Sequence, residues 1–186
     1  MAGKVGLEGF EQLLIAGGLP ELGPGPRANV LPHAALDETL RQLLSHSDLP
    51  SVKQELIRAL ILLWHDRMDA AHAIAQGIED ADGSFLHGIV HRREPDYSNA
   101  KYWFRRVGDH ACYPEIARRT ASLLGVKGAR DLESKLVLNG KWDALAFIDL
   151  CAGVAGGPTT DPQVSLLREV QGIESEALLE HLVNSN

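Results

Sequence analysis

The hydrophobic and polar positions of this chain follow helical periods over most of its length. The strongest pattern lies between Val52 and about Glu79, where apolar residues recur every three to four positions. They are Ile57, Ile61, Trp64, Met68, Ala71, Ala75 and Ile78. This spacing places them along one side of an α-helix. We therefore predict a single long helix over this segment, with Ser51 opening it.

Two shorter helices are predicted before it. One covers residues 6 to 16, and the other covers "HAALDETLRQLLSH", where Leu36, Leu40, Leu43 and Leu44 have helical spacing. Between them, residues 17–33 contain glycine and proline too often for regular structure. This stretch is predicted to be an irregular arm, which could wrap a second subunit.

The segment after the long helix begins with "DADGS", residues 80–84. It is predicted to form a turn in which Gly83 adopts a left-handed conformation and Ser84 caps the next helix. That helix runs from Phe85 to about Glu94, where Pro95 ends it.

The rest of the chain continues with helical patterns separated by turn residues. The predicted helices are 99–108 with Asp96 or Ser98 as cap and Gly108 as end, 114–125 opened by Pro114, 131–138, 142–152 after Asn139-Gly140, and 163–183 with a bend at Gly172. No stretch alternates convincingly with the period of a strand. The pattern therefore predicts an all-α protein, a single antiparallel bundle or array of about seven to eight helices.

Composition fits one soluble globular domain, since the 186 residues are 45% hydrophobic and 23% charged. No apolar run approaches the roughly 20 residues that span a bilayer. The N-terminus carries Lys4, Glu8 and Glu11 and makes a poor signal peptide. Cys112 and Cys151 are too few and too far apart for a disulfide framework or a thiolate metal site. We expect a cytoplasmic protein with reduced, inert cysteines.

The formal net charge of -7 argues against a general nucleic-acid binder, because such proteins neutralise phosphates with lysine and arginine. Basic residues do concentrate in one stretch, at Arg92, Arg93, Lys101, Arg105 and Arg106. Acidic residues are mixed among them, which favours a salt-bridged surface. The partners we expect are a small molecule and, as an open alternative, a second copy of the chain, with no nucleic acid and no membrane.

The candidate chemistry begins in the stretch "HDRMDAAH" of the predicted long helix. Residues four, seven and eleven apart point in nearly the same direction on a helix. His65, Asp69, His72 and Gln76 have that spacing, so they form one polar stripe inside an apolar helix.

The next helix supplies a second polar stripe, formed by His87, His91 and Glu94. A short turn makes the two helices antiparallel. We therefore expect His72 to face His87 and His91, and Asp69 to face His91 and Glu94.

Three chemistries fit these stripes. The first is a divalent metal, zinc, manganese or iron, with ligands drawn from His65, Asp69, His72, His87 and His91. The second is acid–base work on a small molecule bound by Gln76, Glu94, Tyr102, Arg105 and Asp149, with Arg92 or Arg105 holding an anion. The third is a buried hydrogen-bond network in a non-catalytic interaction protein.

Two details refine these alternatives. Gly88 in "HGIVH" stands where zinc proteases of the H-E-x-x-H kind have their glutamate, which excludes that class. Asp149 lies on the apolar helix "WDALAFIDLC", so we expect it to be buried and to meet a cation of the central cluster.

The segment "LHGIVHRREPDYSNAKYWFRRVG" resembles one helical hairpin of the tetratricopeptide-type repeats. Leu86 and Gly88 would lie in the first helix, Asp96-Tyr97 in the turn, and Ala100, Trp103 and Phe104 in the second. Only one copy is present, and a repeat array needs about three. The resemblance implies a hairpin packed through Trp103 and Phe104.

The segment "ALILLWHDRMD" is similar to the His-Asp helix of HD-type metal phosphohydrolases. This resemblance implies metal ligands at His33, His65, Asp66 and Asp131, although Trp64 and Arg67-Met68 depart from the family's pattern. The longer stretch from Trp64 to Tyr113 resembles a family of uncharacterised helical proteins, which implies no mechanism.

Overall fold

The computed structural model describes residues 6–185, which form ten helices and one two-stranded hairpin. The elements are α1 (Leu7–Gly17), α2 (His33–Ser45), α3 (Ser51–Trp64), α4 (Met68–Ala75), α5 (Ala81–Arg93), α6 (Tyr97–Val107), α7 (Tyr113–Val126), α8 (Arg130–Leu136), β1 (Val137–Leu138), β2 (Lys141–Trp142), α9 (Ala144–Gly153) and α10 (Pro162–Asn184). The all-α prediction is confirmed, with more helices than expected. No helix within residues 6–185 is both long enough and apolar enough to cross a membrane.

The prediction of one helix from Val52 to Glu79 is wrong. α3 ends at Trp64 and α4 begins at Met68, with Asp66 between them in the left-handed region at φ 61°. The Asp66 carboxylate accepts hydrogen bonds from the backbone N–H of Arg27 at 2.8 Å and from Nη2 of Arg93 at 2.6 Å. These distant partners hold Asp66 in a conformation that interrupts the helix, although the apolar period continues through it.

The predicted turn at residues 80–84 is also wrong. Asp80 is the N-cap, its side chain accepting the backbone N–H of Gly83 at 2.8 Å, and α5 begins at Ala81. A Cβ atom on Gly83 would lie 2.1 Å from the carbonyl oxygen of Ile78. Glycine is needed here for close backbone approach, and Ser84 lies inside the helix.

A small β-hairpin stands where the predicted helix 131–138 was expected to end and the predicted helix 142–152 to begin. Asn139 and Gly140 have φ values of 52° and 76°, as a two-residue hairpin turn with both central residues left-handed requires. Val137 pairs with Trp142 in the antiparallel ladder. α8 therefore stops at Leu136, and α9 starts only at Ala144.

α5 is the central helix of the fold. Every residue from Asp82 to Arg93 is buried, and the helix packs against α3, α4 and α6. At Gly88 a Cβ atom would lie 2.6 Å from the ring of Phe104, so the glycine permits the close approach of α6. Phe104 is a core residue as predicted, whereas Trp103 is only half-buried.

The irregular arm packs against its own chain. Arg27 Nη1 donates to the carbonyl oxygen of Gly17 at 2.8 Å. From α10, Arg168 Nη2 donates to the carbonyl oxygen of Leu19 at 2.6 Å, and Gln171 Nε2 donates to that of Glu21 at 3.1 Å. These bonds connect the arm to both ends of the sequence.

Candidate metal centre

Three histidines from two helices converge on one side of α5. His72 comes from α4, and His87 and His91 come from α5, one helical turn apart. One ring nitrogen of each lies within 4.8 Å of the others. We call these residues the three-histidine cluster. The expected pairing of His72 with His87 and His91 is confirmed.

The Glu94 carboxylate organises the cluster. Its Oε1 lies 3.0 Å from Nδ1 of His72, and its Oε2 lies 3.0 Å from Nδ1 of His91. A carboxylate accepts hydrogen bonds, so it favours a proton on both Nδ1 atoms. The Nε2 atoms of His72 and His91 are then left with their lone pairs. This is how a carboxylate prepares imidazoles to bind a metal.

His87 lies at the bottom of the cluster. Its Nε2 is 3.0 Å from Nε2 of His72, while its Nδ1 is buried without a hydrogen-bond partner among the described residues. Burial, together with the neighbouring His91 and His72, lowers the pKa of His87 to about 4. Burial also lowers the pKa of His91, although Glu94 opposes the shift. Both imidazoles are neutral at neutral pH, which is the form that binds metals.

α6 provides the second wall of the site. The ring of Trp103 stacks on His87 with centroids 4.1 Å apart and planes at 26°. Asn99 Nδ2 lies 3.0 Å from Nε2 and 3.4 Å from Nδ1 of His91. Such similar distances to both ring nitrogens place the amide beside the ring and out of line with the Nε2 lone pair. We call the region around these imidazoles, where α4, α5 and α6 meet, the trough.

The trough is open on one side. The side chains of His72 and Glu94 are 29% and 28% exposed, whereas those of His87 and His91 are buried. A solute can therefore reach the cluster beside His72 and Glu94, while the α5 imidazoles stay shielded from water.

A second cluster of titratable groups surrounds Asp82. Its Oδ1 is 2.8 Å from Nε2 of His110 and 3.0 Å from Nε2 of His181, and its Oδ2 is 2.5 Å from Nζ of Lys53. Burial raises the pKa of Asp82, but hydrogen bonds from His110 and Lys53 outweigh it and hold the pKa far below its usual range.

This Asp82 network is poorly suited to a metal. The backbone N–H of Cys112 donates to Nδ1 of His110 at 3.3 Å, so Nε2 of His110 carries the proton and donates it to Asp82. The Lys53 ammonium already neutralises the carboxylate. The network is therefore interpreted as a buried hydrogen-bond connection between α3, α5 and α10.

Both cysteines are free and buried. Burial raises the pKa of Cys112 well above its ordinary value and that of Cys151 to about 12. Cys112 Sγ lies 2.9 Å from Nδ1 of His110, but a neutral buried thiol is a weak nucleophile.

His65 does not lie in the cluster, because the break after α3 turns it towards the arm. Its Nε2 donates to the carbonyl oxygen of Leu13 at 2.9 Å, and its Nδ1 accepts from the N–H of Leu31 at 3.3 Å. Both nitrogens are thus used by the protein, and Asp66 is bonded to Arg27 and Arg93. The two described groups of converging metal-binding atoms include neither residue. The phosphohydrolase hypothesis gains no support from this arrangement.

Other predicted site residues lie outside the converging atoms. Asp69 and Gln76 are exposed on and beside α4, and Arg105 is exposed on α6. Tyr102 is half exposed, and its hydroxyl accepts from Arg106 Nη1 at 3.3 Å.

Two expectations about charged residues are wrong. Asp149 is not buried, since its side chain is 63% exposed and pairs with Lys101 at the surface. Arg92 cannot hold an external anion, because it is fully buried against Glu174. Arg93 is likewise buried, so the basic stretch of the sequence does not form one surface.

Sequence reasoning missed Asn99 and Trp103 as site residues. Their separation of four, matching that of His87 and His91, was the available signal. The resemblances to a tetratricopeptide-type hairpin and to a helical family over Trp64 to Tyr113 stay predictions. Comparisons with protein-family models, curated proteins and solved structures give no match for this chain.

Proposed function

We propose that the three-histidine cluster binds one divalent transition metal through Nε2 of His72, His87 and His91. The observation that carries this proposal is the position of Glu94, whose two oxygens meet Nδ1 of His72 and of His91. Imidazole ligands suit zinc and iron, whereas manganese prefers oxygen. Zinc is therefore the metal we favour.

The geometry is close to that of a zinc site. Zinc–nitrogen bonds of about 2.0–2.1 Å in a tetrahedron place two ligand nitrogens roughly 3.3 Å apart. The Nε2 atoms of His72 and His87 are 3.0 Å apart, and the full set lies within 4.8 Å. Small side-chain rotations would complete the site.

Three neutral imidazoles would leave a bound zinc ion with its full charge and with a coordination position for a further ligand. Water or a small molecule can bind there, where the metal would act as a Lewis acid. The proposed function is thus metal-dependent binding or conversion of a small molecule, in the cytoplasmic setting expected from the sequence.

The test is metal binding by protein purified without a histidine tag. We expect one equivalent of zinc by elemental analysis and by calorimetric titration. The variants His87→Ala and His72→Ala should lose this binding; His72 is partly exposed, so its replacement disturbs the core less. The control is His46→Ala, at an exposed histidine outside the cluster, which should retain zinc binding. If the protein binds none of zinc, cobalt and iron at one equivalent per chain, the proposal is wrong.

The rival function is a non-catalytic interaction protein in which the same imidazoles only join α4 to α5. Zinc at about 100 times its dissociation constant should add roughly 2.7 kcal/mol to the free energy of unfolding, and a chelator should reverse this gain. Suppose that neither chelator nor zinc changes the midpoint temperature of unfolding, while His72→Ala lowers it. The imidazoles then only join α4 to α5, and the non-catalytic function is the correct one.

A further inference from the structure

A cavity of about 500 Å³ lies where α1, α7 and α10 meet the beginning of the arm. This volume is in the range of sites that bind small molecules. None of the residues that line the cavity belongs to the three-histidine cluster or to the walls of the trough. The cavity is therefore a candidate ligand site separate from the proposed metal centre.

One part of the lining is apolar and is held in place by the surrounding structure. Leu14 and Trp64 are buried there, and Nε1 of Trp64 donates to the carbonyl oxygen of Leu14 at 2.8 Å. Leu19 packs so closely on α10 that a Cβ atom on Gly172 would lie 2.7 Å from its Cδ2 atom. Ile15 lines the same cavity and is 69% exposed. A ligand would meet an apolar surface that is already formed, which lowers the cost of binding.

The charged part of the lining has more carboxylates than cations. Glu11, Glu176 and Glu180 line the cavity with one arginine, Arg119, so three carboxylates and one guanidinium give a net charge of -2. The guanidinium is already engaged, because its Nη2 donates to Glu180 at 2.6 Å and its Nε donates to Glu115 at 2.5 Å. Its Nη1 lies 3.9 Å from Oε2 of Glu176, beyond hydrogen-bond distance. We call this site the acidic cavity.

Glu11 and Glu176 therefore keep acceptor oxygens for a ligand. Within residues 6–185 neither side chain makes a hydrogen bond, and the nearest cation to Glu176 is the engaged Arg119. Partial burial raises the pKa of Glu176, and Glu180 and Glu11 add to the shift although Arg119 opposes it. A cation between Glu11 and Glu176 would relieve this repulsion. The net charge of -7 on the chain attracts cations as well.

We propose that the acidic cavity binds a small organic cation, an alkyl- or arylalkylammonium, with its ammonium group between Glu11 and Glu176. The apolar part of this ligand lies on Leu19 and Ile15. The carboxylates select the charge, because they repel an anion of the same length and give a neutral alcohol no ion pair. The apolar lining selects the body, because a polyamine would leave that surface uncovered. The site needs no zinc.

Titration of the full, isotope-labelled chain followed by nuclear magnetic resonance tests this preference with hexylammonium, hexanol and hexanoate. We expect hexylammonium to cause saturable shifts of backbone amides in residues 11–19 and 176–180. The alcohol and the anion should bind at least about 10-fold more weakly, since they lose the charged hydrogen bonds. From butyl- to octylammonium, each added CH₂ should tighten binding by up to about fourfold, because it is buried on the apolar lining.

Two substitutions with opposite effects test the assigned residues. Glu176→Gln keeps the shape and should weaken hexylammonium binding about 10-fold, as the loss of one charged hydrogen bond predicts. Arg119→Gln should tighten binding several-fold, because it removes the competing cation and releases Glu180. The matched control is Glu79→Gln, which removes the same charge as Glu176→Gln at an exposed position outside the cavity and should leave the affinity unchanged.

Three results would overturn the proposal. Hexanol or hexanoate that binds as tightly as hexylammonium would show that the carboxylates do not select the ligand. Equal affinities of Glu176→Gln and Glu79→Gln, or shifts confined to other elements, would show that the ligand binds elsewhere. Weaker binding by a folded Arg119→Gln variant would show that the guanidinium holds the ligand. No zinc is added in these titrations, so their outcome is independent of the metal site.

Discussion

Glu94 and Asp66 are both carboxylates that bridge two partners, but their burial differs. Glu94 is 28% exposed between His72 and His91, while the Asp66 side chain is fully buried between Arg27 and Arg93. A carboxylate at the edge of a site can be replaced without leaving a buried charge unpaired. A fully enclosed one leaves uncompensated cations behind. Substitutions at these positions should therefore affect different properties.

Glu94→Gln should weaken zinc binding by roughly 10- to 100-fold, because the amide no longer fixes both imidazoles with Nε2 free. The free energy of unfolding should change by only about 1 kcal/mol, since glutamine keeps one carbonyl acceptor for these imidazoles and the site of the replaced carboxylate is partly exposed to water. Calorimetric zinc titration and urea denaturation measure the two quantities. Glu79→Gln at an exposed position is the control. Equal zinc affinity in both variants would contradict the orienting function of Glu94.

Asp66→Asn should lower the free energy of unfolding by about 3–5 kcal/mol, the effect of breaking a buried ion pair. The shape is nearly unchanged, and asparagine tolerates the left-handed conformation of this position, so the loss reports the charge. Urea denaturation is the measurement. Asp69→Asn, at an exposed carboxylate nearby, should stay within about 0.5 kcal/mol of the natural chain. Similar urea midpoints for the two variants would show that Asp66 does not anchor the helix break.

The contact between α5 and α6 positions both walls of the trough. It depends on Gly88, since any side chain there meets the ring of Phe104. The same hairpin brings Asn99 and Trp103 to the two α5 histidines. Disturbing this contact should therefore alter stability and the site together.

Gly88→Ala should destabilise the fold by about 1–3 kcal/mol through overpacking. The matched variant is Gly125→Ala in α7, where a new Cβ atom has nothing within 4 Å. There the better helix propensity of alanine should be neutral or add up to about 1 kcal/mol. Thermal unfolding compares the pair, and zinc titration shows whether the trough has opened. A stabilising Gly88→Ala would mean that the hairpin is looser than the structure shows.

Stability of the whole molecule should fall as pH decreases from about 7 to 5. Burial lowers the pKa values of His65, His87, His91 and His181, so the folded chain binds fewer protons than the unfolded chain in this range. For His87 the shift from 6.5 to about 4 corresponds to roughly 3 kcal/mol once pH is below both values.

Urea midpoints measured across this pH range test the expectation. His87→Gln should flatten the curve, because the replaced side chain takes up no proton on unfolding. Bound zinc should compete with protons at His87 and steepen the loss of stability on acidification. A curve that rises towards pH 5 would show that the buried imidazoles are not neutral.

Much of this architecture follows from local chemistry. The spacing of apolar residues and a few helix-ending or turn residues act only on neighbours close in sequence. These local signals include Pro114, Gly108 and the Asn139-Gly140 pair, so the helical segments and most of their ends could be predicted. The approach of His72 to His87 and His91 was predictable for the same reason, since a short connection brings adjacent helices together.

The sequence by itself determined an all-helical chain and the histidines that could converge. Only the tertiary structure decided that the helix breaks at Asp66 and that His65 leaves the stripe, because the partners of Asp66, Arg27 and Arg93, lie 39 and 27 residues away along the chain. It also decided which arginines are buried against carboxylates and which remain free. These placements depend on charged side chains that pair in the interior between segments far apart in sequence. The local spacing of apolar residues does not predict such pairs.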